Sequence, residues 1–396
     1  MKISAPHLFH QVRNPGFLKL FLFTIPLLAG ILFIFINPSK LDASDFILIA
    51  WNPGQELIKT GSVYAGYPYP IWTVLVMLPF VVWPPQTAMI LWLICNLLML
   101  AAGLAIFISL LDWQISPGLF ALVVCLSGFF LPVLTSTWLG QLSTFSFFIL
   151  ALTAYLFLRQ RWTWLGIVVG LSFIKPQVMI LLAGLILLWA LWRRRLQTLL
   201  GFSGVIIVLV LISLPFISFP GQIIGGGISS HLTTYIKSTS TLWGLSLSLG
   251  ILWLVPAAIA VVLITWLGWI WLPFLRGRVI SSNRVLFLFS AATMVNLILV
   301  PYSWMHSLVL LLLPFGYSFA LALRMITKVR FTWLILLFVI MHPLMLGLFI
   351  ALSGSTHTQA YQIIPALALL PTMVFLEFQA GDHTTINGKP ALSGQT

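Results

Sequence analysis

Long apolar runs, interrupted by short basic or polar stretches, occupy this chain almost from end to end. They fall at about 17–36, 70–83, 86–111, 119–135, 142–158, 162–175, 178–192, 198–219, 245–274, 285–300, 307–323, 331–352 and 363–379. A transmembrane helix needs about 20 predominantly apolar residues, and no stretch between the runs is long enough for a soluble domain. The pattern predicts an all-α, polytopic integral membrane protein with about 11–13 membrane segments, and residues 1–380 as a single domain. The first run, 17–36, is longer than the roughly 7–15 residues of a signal-peptide core and lacks a clear cleavage site, so it reads as a membrane anchor. The tail, 381–396, is polar and contains Gly, Ser and Thr, a composition that predicts disorder.

Composition agrees with the pattern. Hydrophobic residues make up 61% of the 396 and charged residues 6%, and the mean hydropathy is +1.11, far from the globular norm of roughly 25% charged residues. The net charge of +13 does not point to nucleic acid, because the basic residues form short clusters between apolar runs rather than one continuous face. Arg159 with Arg161, Arg193 to Arg195, Arg276 with Arg278 and Arg284, and Arg324 with Lys328 and Arg330 mark cytoplasmic loops by the positive-inside rule. With Lys2, Arg13 and Lys19, they put the N-terminus inside and residues 37–69 outside. Four runs separate that outer loop from Arg159, an even number that conflicts with the rule. The run 70–83 is short, holds Pro79 and ends at Pro84 and Pro85, so it reads as a re-entrant or interfacial element. That places Gln141 at the outer face. Cys95 and Cys125, in no metal-ligand spacing, read as core fillers.

Carboxylates are scarce: Asp42, Asp45, Glu56, Asp112, Glu377 and Asp382 are the full set. Three of them lie in the outer loop 37–69. Asp42 and Asp45, three apart, share a face of any helix that starts near Ser44. One reading makes them solvated loop residues, with Asp42 or Ser44 as a helix cap. The other has one of them take a proton from a substrate hydroxyl. Too few oxygens are present for a Mg or Mn site as well, so no metal is expected. Once the cytoplasmic loops are set aside, Lys175, His231, Lys237 and His306 remain as outward or intramembrane cations, together with Lys40 and Lys59. A phosphate leaving group would need some of them; alternatively Lys175 snorkels, His231 is a loop residue and His306 bonds a neighbouring helix. Tyr64, Tyr67, Tyr69, Trp72, Tyr302 and Trp304 cluster at outer ends of segments, either as an interfacial belt or as a lining for sugar and lipid. Gly225 to Gly227 lack the Lys-Ser/Thr ending of a phosphate loop and read as part of a flexible loop.

These elements resemble glycosyltransferase family 87 of the GT-C superfamily. Asp45-Phe46, then Gly61, Tyr64, Tyr69-Pro70 and Leu78-Pro79 are similar to the family's first outer loop. Gly140-Gln141 resembles its Gly-Gln element. The helix from Gly170 to Lys175-Pro176 resembles its Gly-rich helix ending in Lys-Pro, and Pro301 to His306 its Pro-x-Ser-Trp-x-His element. Ile49 and Ile71 depart from the family's pattern. The resemblance implies a plasma-membrane hexosyltransferase, mannosyltransferase-like, that uses a polyprenyl-phosphate-sugar donor, a lipid or glycan acceptor and no cofactor. It implies Asp45 as base with Asp42 second, His306 on the donor phosphate helped by Lys175, and an active site on the outer face. Gln141, Tyr64, Tyr69, Tyr302 and Trp304 are the expected lining, and His231 and Lys237 further phosphate ligands. An ordinary Asp, with a pKa of about 3.9, is a weak base at neutral pH, so it is expected to act late in the displacement. The rival class is a transporter or flippase of lipid-linked sugars, which commonly shows internal repeats. No convincing repeat relates the two halves of this chain.

Overall fold

The computed structural model describes residues 45–63, 67–111, 113, 116–217, 235–276, 281–324, 327–351 and 359–386. The first apolar run, Asp42, Tyr64, Asp112, His231 and Gly225 to Gly227 lie outside them. Among the described residues the regular structure is entirely helical.

A π-helical turn, Phe46–Trp51, leads into α1 (Asn52–Thr60), which Gly61 ends at φ 74°. Then come α2 (Ile71–Val81), α3 (Pro85–Leu110), α4 (Pro117–Gly128), α5 (Leu131–Leu139), α6 (Ser143–Leu158), α7 (Trp162–Leu171), α8 (Ile180–Trp192) and α9 (Leu196–Ser213). The second half holds α10 (Leu242–Ser248), α11 (Leu254–Leu275), α12 (Ser282–Leu299), a 3-10 stretch Met305–Leu311 running into α13 (Leu312–Leu323), α14 (Thr327–Met341), α15 (Pro343–Ala351) and α16 (Ile364–Ile386). Local chemistry sets several starts. Ser116, Thr241 and Ser281 accept from the backbone N–H groups of Leu119, Gly244 and Arg284 at the first turns of α4, α10 and α12, filling donors that a helix cannot fill itself.

Six helices are long and apolar enough to cross a membrane, or seven if α4 and α5 form one bent span. The expected run 119–135 is that pair, bent by 71°. The run 245–274 is divided at Gly250, which has φ 69°, and 331–352 is divided between α14 and α15. With 11 residues, α2 is roughly 16 Å long at 1.5 Å per residue. That is about half a bilayer, and α7 and α8, with 10 and 13 residues, are also short. At the other end, α16 continues through Ile386, into the stretch predicted to be disordered.

Burial sorts the helices into a centre and a rim. Of the apolar window in α12, 78% is buried, and the same share of Met305–Leu323; for α9 the figure is 11%. The centre is therefore α12 and α13, with α6 and α8 packed on them, and α9 and α11 present apolar faces outward, as a lipid-facing rim does. The closest helix pair is α7 with α9. A Cβ on Gly166 would fall 2.1 Å from the Thr198 carbonyl oxygen and one on Gly201 2.4 Å from that of Thr163. Only glycine permits this backbone approach.

Candidate active site

Asp45 directly precedes the Phe46–Trp51 turn, whose Phe46, Ile47 and Ala50 are buried. Three contacts hold this segment to α2 and its flanks: Trp51 Nε1 donates to the Trp83 carbonyl (3.0 Å), Gln55 Nε2 to that of Val81 (2.8 Å) and Tyr67 Oη to that of Ile49 (2.9 Å). Gln141 is brought opposite Asp45 by the end of α5. There Gly140 takes a left-handed φ of 68°, while the Gln141 N–H bonds the Ser136 carbonyl at 2.8 Å. Gly140 is required twice over, because a Cβ would sit 2.5 Å from the Cβ of Phe46. Trp92 Nε1 donates to the Gly140 carbonyl (2.8 Å) and fixes the turn from α3.

The helical path after α7 fails at Lys175, whose φ of −135° and ψ of 74° lie outside the α region, which the following Pro176 disfavours. Its side chain turns inward and is 1% exposed. Lys175 Nζ donates to Gln141 Oε1 (2.9 Å) and to Ser143 Oγ (3.2 Å), and Gln141 Nε2 donates to Asp45 Oδ2 (2.5 Å). The amide can serve both neighbours in one orientation only, since an ammonium only donates and a carboxylate only accepts. A cation and a carboxylate are thus joined through a neutral relay. Such burial of a lysine is costly unless it is paired, and the snorkelled alternative does not occur.

Asp45, Ile49, Tyr69, Thr73, Met77 and Gln141 line a small pocket. Burial raises the Asp45 carboxyl above its ordinary value, opposed by the Gln141 hydrogen bond and by the Lys175 charge. The expectation of an ordinary carboxylate is corrected here: a desolvated one is the stronger base. Tyr302, half-buried, lies within electrostatic range of Asp45, and His306 within that of Lys175. His306 is buried in the 3-10 stretch that packs on α5, and its Nε2 has no hydrogen-bond partner among the described residues. Trp304 meets Tyr302 edge-on at 5.9 Å and Tyr235 at 6.0 Å.

The structure therefore brings together Asp45, Gln141, Lys175, Tyr69, Tyr302 and His306, with Trp304 beside Tyr302. Lys237 is exposed on the turn Ile236–Ser238, its carbonyl accepting from Ser248 Oγ, and no contact joins it to this group among the described residues. Asp42, Tyr64 and His231 lie outside those residues. No group of three or more metal-ligating side chains occurs among them. Ser143, the second acceptor for Lys175, belongs to the polar stretch around Gln141 (Ser136, Thr137, Gly140, Ser143 and Thr144) that the sequence offers as a site lining. Thr73 and Met77 in the pocket wall were assigned nothing from the sequence, and nothing in it marked them.

The helical bundle thus holds a buried carboxylate–amide–ammonium chain beside a small pocket. Residues 67–301, more than half of the chain, match the family described as glycosyltransferase family 87, and the chain belongs to that family. It is a multi-pass membrane glycosyltransferase. The matched stretch contains Gln141 and Lys175, with Asp45 before it and His306 after it. Comparison with curated proteins and with solved structures gives no match.

Proposed function

We propose that this glycosyltransferase moves a hexose, such as mannose, from a polyprenyl-phosphate donor to a hydroxyl of a lipid or glycan acceptor, with inversion. The observation that carries the reading is the Asp45–Gln141–Lys175 chain, with a desolvated carboxylate at one end and a buried cation at the other. Asp45 accepts the proton of the acceptor hydroxyl as that oxygen attacks the anomeric carbon. The bond from the anomeric carbon to the phosphate oxygen breaks, and its electron pair leaves with polyprenyl phosphate. Lys175 supplies positive charge for that leaving group and His306 a ring N–H. Tyr69, Tyr302 and Trp304 offer faces for the sugar. One base and one stabilised leaving group suffice for a single displacement, so the reading calls on no cofactor. The arginine clusters support a plasma-membrane orientation with the N-terminus cytoplasmic and the site at the outer face.

The test is incubation of the purified protein with radiolabelled polyprenyl-phosphate hexoses and a lipid extract. Label is expected to move to an extract component, and Lys175→Ala and His306→Ala to weaken donor use. Failure of every such donor to transfer would overturn the reading.

A further inference from the structure

The break that presents Lys175 leaves backbone groups without helical partners, and three side chains from distant elements fill them. In a continuous helix, the carbonyls of Phe173 and Ile174 would accept from the N–H groups of Gln177 and Val178. Here the Val178 N–H turns to Lys175 instead. Trp72 Nε1 donates to the Phe173 carbonyl and Thr73 Oγ1 to the Ile174 carbonyl, each at 2.9 Å and each from 101 residues away. On the other flank, Asn296 of α12 donates Nδ2 to the Gln177 carbonyl and accepts the Leu181 N–H on Oδ1, both at 3.0 Å. The Leu181 N–H is one of the first-turn donors that α8 cannot fill. All three side chains are buried, Thr73 to 1% and Asn296 to 2% exposure. Neither Trp72 nor Asn296 lines the Asp45 pocket.

We propose that Trp72, Thr73 and Asn296 are positioning residues which clamp the 172–181 turn from both sides and thereby hold Lys175 Nζ on Gln141, setting donor affinity. The effect on the donor rests on the reading that Lys175 faces the donor phosphate; the clamp itself does not. A helix break with freed carbonyls is soft unless those carbonyls are bonded, since each unfilled buried group is costly. Thr73 also walls the pocket that holds Asp45, so one side chain bonds the residue before Lys175 and shares a pocket with Asp45.

Two measurements on the full-length protein test this. In the first, hydrogen exchange of the amides between 175 and 181 is followed in wild type, Thr73→Val, Thr73→Ser and Asn296→Leu. Exchange is expected to quicken about tenfold, the scale of one buried hydrogen bond, in the Val and Leu variants, and to return towards wild type in Thr73→Ser. Unchanged exchange in Thr73→Val overturns the clamp, and this variant decides even where Asn296→Leu fails to fold. In the second, KM for a polyprenyl-phosphate hexose is expected to rise about tenfold in Thr73→Val, with a smaller change in kcat and no further rise in a Lys175→Met background. A KM effect that adds fully to that of Lys175→Met overturns the link to Lys175. A wild-type protein inactive on all donors condemns the functional reading, and the exchange measurement still decides the clamp.

Discussion

Two charged clusters sit at different places in this bundle, and their wiring differs. At one, Glu377 of α16 receives both Tyr317 Oη (2.5 Å) and Arg284 Nη1 (3.3 Å), so each carboxylate oxygen is occupied. Arg284, part-exposed, also lies over the Phe287 ring, 4.6 Å from its centre. That cluster is closed on itself and ties α12, α13 and α16 together. At the other, Asp45 uses only Oδ2, and an amide stands between it and its cation. Among the described residues, no hydrogen bond reaches Asp45 Oδ1. Direct pairing spends a carboxylate's acceptor sites on stability, whereas a neutral relay leaves one free while still orienting the group. The contrast separates a closed ion pair from a carboxylate with an acceptor oxygen to spare, as the proposed base needs.

The strongest way to break the comparison is Asp45→Asn, which keeps the size and the relay contact but not the base. Turnover is expected to fall about 10²–10⁴-fold with donor binding little changed, and Asp42→Asn is expected to be milder. Turnover of both variants, with donor binding followed in parallel, checks it; a dead Asp42→Asn beside an active Asp45→Asn would move the base to Asp42. Next comes Gln141→Leu, which cuts the relay. A lost hydrogen bond to a charged group predicts roughly a 10–100-fold loss in turnover, and a pH profile reads its sign. Asp45 must be ionised to act, so activity rises with pH through its raised pKa. Gln141 is one of the groups that lower that pKa, so the variant's rising limb should move to higher pH; a limb moved to lower pH would contradict the wiring.

Gly140→Ala tests the turn beneath the relay. With a left-handed φ and Phe46 at 2.5 Å from a new Cβ, it should lower stability by about 1–3 kcal/mol, seen as an earlier thermal unfolding midpoint. The smallest effect on turnover is expected at the closed cluster. Tyr317→Phe removes a hydrogen bond to a carboxylate and should lower stability by about 1.5–3 kcal/mol, while turnover stays within about twofold of wild type because the relay is untouched. A large loss of turnover there would erase the distinction between the clusters.

Most of the helical order was legible because apolar runs and arginine clusters are local signals. The short α2 could be seen from Pro79 and the Pro84-Pro85 pair, and the first acidic loop from its carboxylates. The bend between α4 and α5 had a local signal in Gly128 and Pro132 on either side of it, but the side to which α5 turns is set by its packing on Met305–Leu311, far along the chain. The family resemblance placed Asp45, Gln141 and Lys175 in three separate motifs. That they form one chain of hydrogen bonds is tertiary information, because the partners lie 96 and 34 residues apart and no periodicity relates them. Burial of Asp45, which changes its strength as a base, was equally invisible from composition.

The glycine seam between α7 and α9 has a mechanical consequence. Backbone meets backbone at Gly166 and Gly201, and one turn on, Val205 packs directly on Gly170, so the two helices have little room to shift against each other. The rim helix α9 is long and apolar, and little of it is covered by the rest of the protein. The seam therefore fastens the Lys175 turn, through α7, to one of the most outward-facing helices of the bundle.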